Sequence, residues 1–211
     1  MFLNSIFKIF NSIFPKDNIK EDSIRNIINK RIFVSKKNNY ISFLPYQNKN
    51  IKHLLYQFKF NKKFKLANFF GEIIYENLPE ILEDLRIQKN FNDPLLIPIP
   101  ISFLRKLSRG YDQNNLILKS FIKNGGNNFI TVGNNILIKS KHTKPQSKMG
   151  NKKDRFKNVK NCFKVKNVGK IKGKNIILFD DILTTGATLL EAKRILKKSG
   201  AKKIIFLTLT H

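Results

Sequence analysis

Ile176-Ile177-Leu178-Phe179-Asp180-Asp181-Ile182-Leu183-Thr184-Thr185-Gly186-Ala187-Thr188 is the stretch whose reading decides the fold. Four consecutive apolar residues, Ile176 to Phe179, predict a strand buried on both faces, because a half-exposed strand alternates apolar with polar side chains. Two adjacent carboxylates, Asp180 and Asp181, fall where that strand should end. The small residues Thr184 to Thr188 follow, and the amphipathic run 189–199, closed by Gly200, predicts a helix. Thr188 and Glu191 have capping-box spacing, a second sign of a helix start nearby. A strand, a small-residue loop and a helix can aim several backbone N–H groups and hydroxyls at one phosphate, and the positive end of the helix dipole favours the same anion. The carboxylates cannot bind phosphate themselves. Their natural partners are sugar hydroxyls or a divalent cation, so the stretch reads as a site for a phosphorylated sugar.

Composition sets the outer bounds. With 211 residues the chain can bury a real core, and one main α/β domain over residues 46–211, with a helical N-terminal appendage over 1–45, is the economical organisation. Forty-one Lys and Arg against 14 Asp and Glu give a formal charge of +27. Such an excess suits a polyanion partner, nucleic acid above all. It equally fits a compositional bias, because Lys, Asn, Ile and Phe abound along the whole chain, and the charge alone leaves both readings open. Cys162 is the single cysteine, which excludes an internal disulfide and a cysteine-based zinc site. Its expected role is that of a small, partly buried thiol. Residues 1–14 carry apolar side chains in a helical rhythm but are too few to span a bilayer. They lack the basic start and small-residue cleavage site of a signal peptide, so a cytoplasmic protein with no transmembrane segment is expected, its first helix packed on its own domain.

Further along, residues 21–30 predict a helix and Ile32-Phe33-Val34 a short apolar run. Helical spacing is clear at Ile51, Leu54, Leu55 and Phe58, and again at Leu66, Phe69, Phe70, Ile73 and Ile74. Pro79 is expected to interrupt that second helix, leaving a further turn over 80–86. Residues 95–100, Leu-Leu-Ile-Pro-Ile-Pro, predict the first core strand with a stiff loop at its carboxyl edge. The basic residues Arg105, Lys106 and Arg109 follow. In an open parallel sheet ligands sit outside the carboxyl ends of strands, so this loop should face the Asp180 loop. A helix over 114–123, a turn at 125–128 and a second core strand at Ile136 to Ile138 come next. Residues 139–161 are almost devoid of apolar side chains and hold Thr143, Gln146, Arg155 and Asn158. So long a polar segment between core strands predicts a mobile lid. The last core strand is expected over 202–210, with Thr208, Thr210 and His211 at its carboxyl edge.

The Asp180 to Thr188 stretch resembles the phosphoribosyl-pyrophosphate (PRPP) signature of type I phosphoribosyltransferases, in which an apolar run meets two acidic residues and a Thr-Thr-Gly-x-Thr loop. The resemblance narrows when other motifs are added. Leu54-Leu-Tyr-Gln-Phe-Lys59-Phe60, Ile97-Pro-Ile-Pro100, Arg105, Arg109-Gly-Tyr-Asp-Gln113, Thr143-x-x-Gln146, Arg155-x-x-Asn158-Val159 and Phe163 stand in the order seen in the ComF family. These are phosphoribosyltransferase-fold proteins associated with DNA uptake in naturally competent bacteria, and the similarity covers residues 46–211. It implies an α/β fold with a type I phosphoribosyltransferase-like parallel sheet flanked by helices. It also implies that Asp180 and Asp181 hold the ribose of PRPP, with Mg²⁺ carried near them on PRPP. Thr184, Thr185, Gly186, Ala187 and Thr188 would take the 5′-phosphate, and Ile101, Ser102, Arg105 and Arg109 would lie on the pyrophosphate side. Thr143, Gln146, Arg155 and Asn158 would belong to the flexible lid. Two functions follow from the resemblance: handling of incoming single-stranded DNA beside the DNA-uptake machinery, or active phosphoribosyl transfer to an unidentified acceptor. Two departures stand out. The four-cysteine zinc ribbon that opens many ComF proteins is absent, and Tyr111-Asp112 replaces the usual Phe-Asn. A carboxylate at 112 would repel pyrophosphate, so Asp112 is expected to face away.

Overall fold

In the computed structural model, which describes residues 33–35, 39–144 and 149–211, the apolar run at 176–179 lies near the middle of a six-stranded sheet. In chain order the elements are β1 (Phe33–Ser35), β2 (Tyr40–Leu44), α1 (Lys49–Phe60), α2 (Leu66–Lys89), β3 (Leu95–Pro98), α3 (Phe103–Arg109), α4 (Gln113–Lys123), β4 (Thr131–Val132), β5 (Leu137–Lys139), α5 (Lys152–Val159), β6 (Phe163–Val165), β7 (Ile176–Ile182), α6 (Ala187–Lys198) and β8 (Ile204–Thr210). The sheet order is β1-β2-β8-β7-β3-β4, and every pairing is parallel except β1 with β2. A separate antiparallel ribbon joins β5 to β6. The result is the parallel, helix-flanked α/β fold expected of a phosphoribosyltransferase.

Burial on both faces explains the unbroken apolar run. Ile177 and Phe179 join Ile205, Leu207 and Leu209 under α1, α2 and α4, whereas Ile176 and Leu178 join Ile97, Ile204 and Phe206 under α6 and the β5–β6 ribbon. All four residues from 176 to 179 are fully buried, which a strand with one wet face cannot achieve. On the first face α2 and α4 meet at Gly71. A Cβ there would lie 2.7 Å from the Ser120 Cβ and 2.8 Å from the Phe121 nitrogen, so only glycine lets α4 lie this close. The topology positions the site. β3 runs on to β4 at one side and β7 runs on to β8 at the other, so the loops leaving β3 and β7 diverge and open a crevice at their carboxyl ends.

Several expectations change. Pro79 does not interrupt α2, which runs from Leu66 to Lys89. One lost hydrogen bond and its steric cost, about 3 kcal/mol, are set against the buried stripe Ile73, Ile74, Leu78, Ile81 and Leu85 that crosses the proline. The run at Ile136 to Ile138 is not a core strand of the main sheet: β5 pairs antiparallel with β6, Leu137 opposite Val165. The outer parallel neighbour of β3, opposite β7, is instead the two-residue β4. The sheet also reaches back before residue 46, since β2 pairs in parallel with β8 and Ser42 meets Thr208 in a buried hydroxyl contact of 2.6 Å. The capping box does not form. α6 starts at Ala187 behind Gly186, and Glu191 accepts from the Asn161 amide and Arg194 instead of reaching back. The helices expected over 1–14 and 21–30 lie outside the described residues.

Candidate phosphosugar site

β7 carries its polar residues to the crevice while still paired, Asp180 opposite Thr208 and Ile182 opposite Thr210. Asp180 sits deep among protein atoms. Its Oδ1 accepts from Asn114 Nδ2 at 3.0 Å and from the Asp181 amide at 3.0 Å, and Asn114 also donates to the Ile99 carbonyl at 2.9 Å. Asn114 thereby ties the start of α4, the end of β3 and the end of β7 together. Burial, reinforced by the neighbouring Asp181 carboxylate, pushes the Asp180 pKa up to about 7, and the Asn114 bond and Lys59 only partly offset this. Asp181 meets Lys59 of α1 at 2.8 Å, with the two side chains 13% and 18% exposed.

The following loop leaves several donors open. Gly186 adopts φ +72°, the left-handed region, at the turn into α6. Leu190 is the first residue of α6 whose N–H finds a helical carbonyl, that of Gly186 at 2.8 Å, so the amides of Ala187, Thr188 and Leu189 form the open helix start. Thr184 is exposed, Thr185 and Thr188 are half-buried, and their hydroxyls bond to no other described residue. Asp180, Ile182 and residues 183–189 line a shallow concavity of ≈ 20 Å³. The carboxylates and the open loop thus share one wall of the crevice.

The opposite wall is cationic. Arg105 and Arg109 are half-buried on α3, and the Arg105 Nη2 is buried with no hydrogen-bond partner. Burial and Arg109 weaken the hold of Arg105 on its proton, and the charges of Asp181 and Asp180 act the other way. Lys139 at the end of β5 lies over the Phe163 ring at 5.6 Å, and its pKa is lowered first by burial, then by Arg105, against the fields of Cys162 and Asp180. Ile101 and Ser102 form the loop between β3 and α3. Ser102 Oγ bonds to His142 Nδ1 at 3.1 Å, joining this loop to the expected lid. Asp112 caps α4 through the Asn115 amide at 3.1 Å, and its other oxygen stays at the loop after β3, 3.5 Å from the Ile101 amide. Tyr111 donates its hydroxyl to the Phe58 carbonyl and sets its ring edge-on to Phe64.

The lid residues divide differently. Thr143 is buried. Asn158 exchanges hydrogen bonds with the Lys144 backbone at 2.9 and 3.1 Å, and Arg155 contacts the Met149 carbonyl at 3.4 Å. These contacts lie within the segment expected to be a mobile lid, much of which is the helix α5. Gln146 lies outside the described residues. Glu191 and Arg194 of α6 hold the turn before β6 through Asn161, at 2.7 Å each.

A phosphoribosyl transferase domain model matches residues 99–211, more than half of the chain. The chain belongs to the phosphoribosyl transferase domain family. Within it the chain is similar to the ComF proteins: it is 28% identical over 155 residues to the Haemophilus influenzae protein named Competence protein F, and 30% identical over 154 residues to Competence protein ComFC of Bacillus subtilis. These alignments take in 72% of this chain but 63% and 56% of the two relatives, so the chain spans about three fifths of their length. A shorter segment of 41 residues, 19% of the chain and 14% of the relative, is 49% identical to a ribose-phosphate pyrophosphokinase of Pyrococcus furiosus. Among the described residues no helix is long and apolar enough to cross a membrane.

Sequence reading by itself missed three contributors. Asn114, Lys59 and Lys139 come from α4, α1 and β5, and packing rather than a local motif brings them to the acidic pair. Lys59 had one local signal, a lone cation in the otherwise apolar end of the Leu54 to Phe60 run.

Proposed function

We propose that this protein binds PRPP together with Mg²⁺ in the β3/β7 crevice and works in the cytoplasm on incoming single-stranded DNA during natural transformation. The observation that carries the PRPP half is the juxtaposition of Asp180 and Asp181 with the open 184–188 loop on one wall, facing an unpaired Arg105 on the other. On this reading the carboxylates take the ribose hydroxyls and the loop takes the 5′-phosphate. Arg105 and Arg109, next to Ile101 and Ser102, take the pyrophosphate. Arginine suits that position because its planar fork accepts two oxygens at once. Two carboxylates do not make a metal cage, and no group of three or more His, Cys, Asp or Glu gathers among the described residues. The fit is therefore to an ion arriving on the phosphosugar, which would supply charge neutralisation at the pyrophosphate beside Asp180 and Asp181.

Two facts support the DNA half. The relatives are named as competence proteins. Large rings are also exposed near the ends of α1 and α3: Tyr56, Phe60, Phe64 and Phe103 are 46–75% exposed, and Arg109 lies 5.6 Å from the Phe60 ring. Cations follow a nucleic-acid backbone while aromatic faces stack on bases.

The test of the PRPP half is calorimetric titration of PRPP with Mg²⁺ into the wild type and into Asp180→Asn with Asp181→Asn. The expected result is a loss of at least about 100-fold in the double variant, roughly 2.7 kcal/mol. Equal affinity would refute the assignment. For the DNA half, a gel shift on single-stranded DNA should weaken steeply with salt and weaken again in Phe60→Ala with Phe103→Ala. Absence of any complex at low salt would remove that half. The second reading, active phosphoribosyl transfer, is favoured by the intact loop and the water-excluding position of Asp180. Pyrophosphate release from labelled PRPP in the presence of a panel of amines and nucleobases would establish it.

A further inference from the structure

The acidic pair of a phosphosugar site needs a cation beside it, because two carboxylates and a run of phosphates repel one another. In this fold the cation at Asp181 is part of the chain. Lys59 Nζ lies 2.8 Å from Asp181 Oδ2, and both side chains are largely shielded from water, where an ion pair is far less screened than at a surface. Lys59 is held there by structure on both sides. It sits in the last turn of α1, whose Leu54, Leu55 and Phe58 are locked into the core, and the adjacent Phe58 carbonyl receives the Tyr111 hydroxyl. Two further cations border the pair without a carboxylate partner of their own: Arg105, with one guanidinium nitrogen buried and unbonded, and Lys139, whose contact is the Phe163 ring. One cation is thus paired with the carboxylates, and the fields of two more reach them, before any ligand arrives. A bare divalent ion entering this crevice would have to displace Lys59 and would add charge to a region that is already positive.

We infer that Lys59 is a built-in counter-cation of the acidic pair, taking over the charge compensation of a divalent ion, so that the crevice binds the phosphosugar even without metal. The inference rests on the PRPP reading above and specifies how that site is regulated by metal. It confines any requirement for Mg²⁺ to pyrophosphate departure, and leaves affinity to Lys59, Arg105 and Lys139.

The test is calorimetric titration of PRPP into the full chain, once in EDTA and once in Mg²⁺, using the wild type, Lys59→Met and Lys59→Arg. The expected wild-type affinities differ by less than about threefold between the two conditions. Lys59→Met should lose at least about tenfold in EDTA and recover most of it in Mg²⁺, whereas Lys59→Arg should follow the wild type. A wild-type affinity that falls more than about tenfold in EDTA overturns the inference and leaves the PRPP reading standing. Equal behaviour of Lys59→Met and wild type in EDTA also overturns it. Failure of wild type to bind PRPP in either condition overturns the PRPP reading itself. The wild-type comparison alone decides the matter if Lys59→Met does not fold.

Discussion

The loop after β7 and the segment between β5 and β6 are both polar, yet their polar groups are arranged in opposite ways. In residues 184–188 the hydroxyls and amides are left open, and the geometry is imposed from outside by a strand fully buried over 176–179, by Gly186 at φ +72° and by the apolar face of α6. Among the described residues of the β5–β6 segment, polar groups are engaged with one another: Asn158 with the Lys144 backbone, Arg155 with the Met149 carbonyl, and Asn151 capping α5 through the Asp154 amide. A polar side chain whose bonds are satisfied within its own segment maintains shape. One that a rigid frame holds unsatisfied is available to a ligand. Binding energy should therefore reside in the loop and the acidic pair, and the β5–β6 segment should matter chiefly to local shape.

The contrast can be broken first at Asp180. Its pKa stands at about 7 in the fold against an ordinary 3.8. Between those values the folded protein keeps a proton that the unfolded chain has released, so Asp180 makes stability fall as pH rises from about 4 to about 7, with no further change above. At about 1.4 kcal/mol per pK unit, the effect amounts to a few kcal/mol. Asp180→Asn removes it. Urea unfolding at pH 5 and pH 8 should show the variant gaining on the wild type at the higher pH, and parallel profiles for the two proteins would show that Asp180 is not held at a raised pKa.

The next effect in size is at Gly186. A β-branched residue in the left-handed region costs on the order of 1–3 kcal/mol, and a Cβ at 186 would also stand 3.3 Å from the Tyr40 hydroxyl. Gly186→Val should distort the cradle and weaken PRPP about 10- to 100-fold by calorimetry, with α6 retained by circular dichroism. An unchanged affinity would detach the loop from the ligand. The smallest effect belongs to the β5–β6 segment. Asn158→Ala removes two partly exposed hydrogen bonds at about 1 kcal/mol or less each, which should lower the thermal midpoint slightly and change PRPP affinity by less than about threefold. A loss as large as that of Gly186→Val would make that segment an equal partner in binding.

The same contrast explains what could be read from the sequence. The β7 strand, its carboxylates and its loop are contiguous, so one stretch of 13 residues displays the buried run, the acids and the turn together. The partners of those acids are not contiguous. Lys59 reaches Asp181 only because α1 packs across the sheet, and Asn114 reaches Asp180 only because Gly71 admits α4 so closely. Strand register was hidden for related reasons. β4 has two residues and carries no periodicity. β2 contains Ser42, a polar residue in a buried strand, whose hydroxyl is satisfied by Thr208 from the far end of the chain. Ile136 to Ile138 has the composition of a core strand, but its partner is β6 and not the main sheet. Pro79 shows tertiary burial overriding a local breaker.

The central claim is that the tip of β7 grips a phosphorylated pentose. Its most direct test is a phosphorus NMR titration of PRPP with protein, because the 5′-phosphate and the two pyrophosphate phosphorus atoms give separate signals. The account predicts that the wild type shifts or broadens the 5′-phosphate signal and that Gly186→Val loses this effect first. A 5′-phosphate signal unmoved at saturating wild-type protein, or moved equally by both proteins, would contradict it.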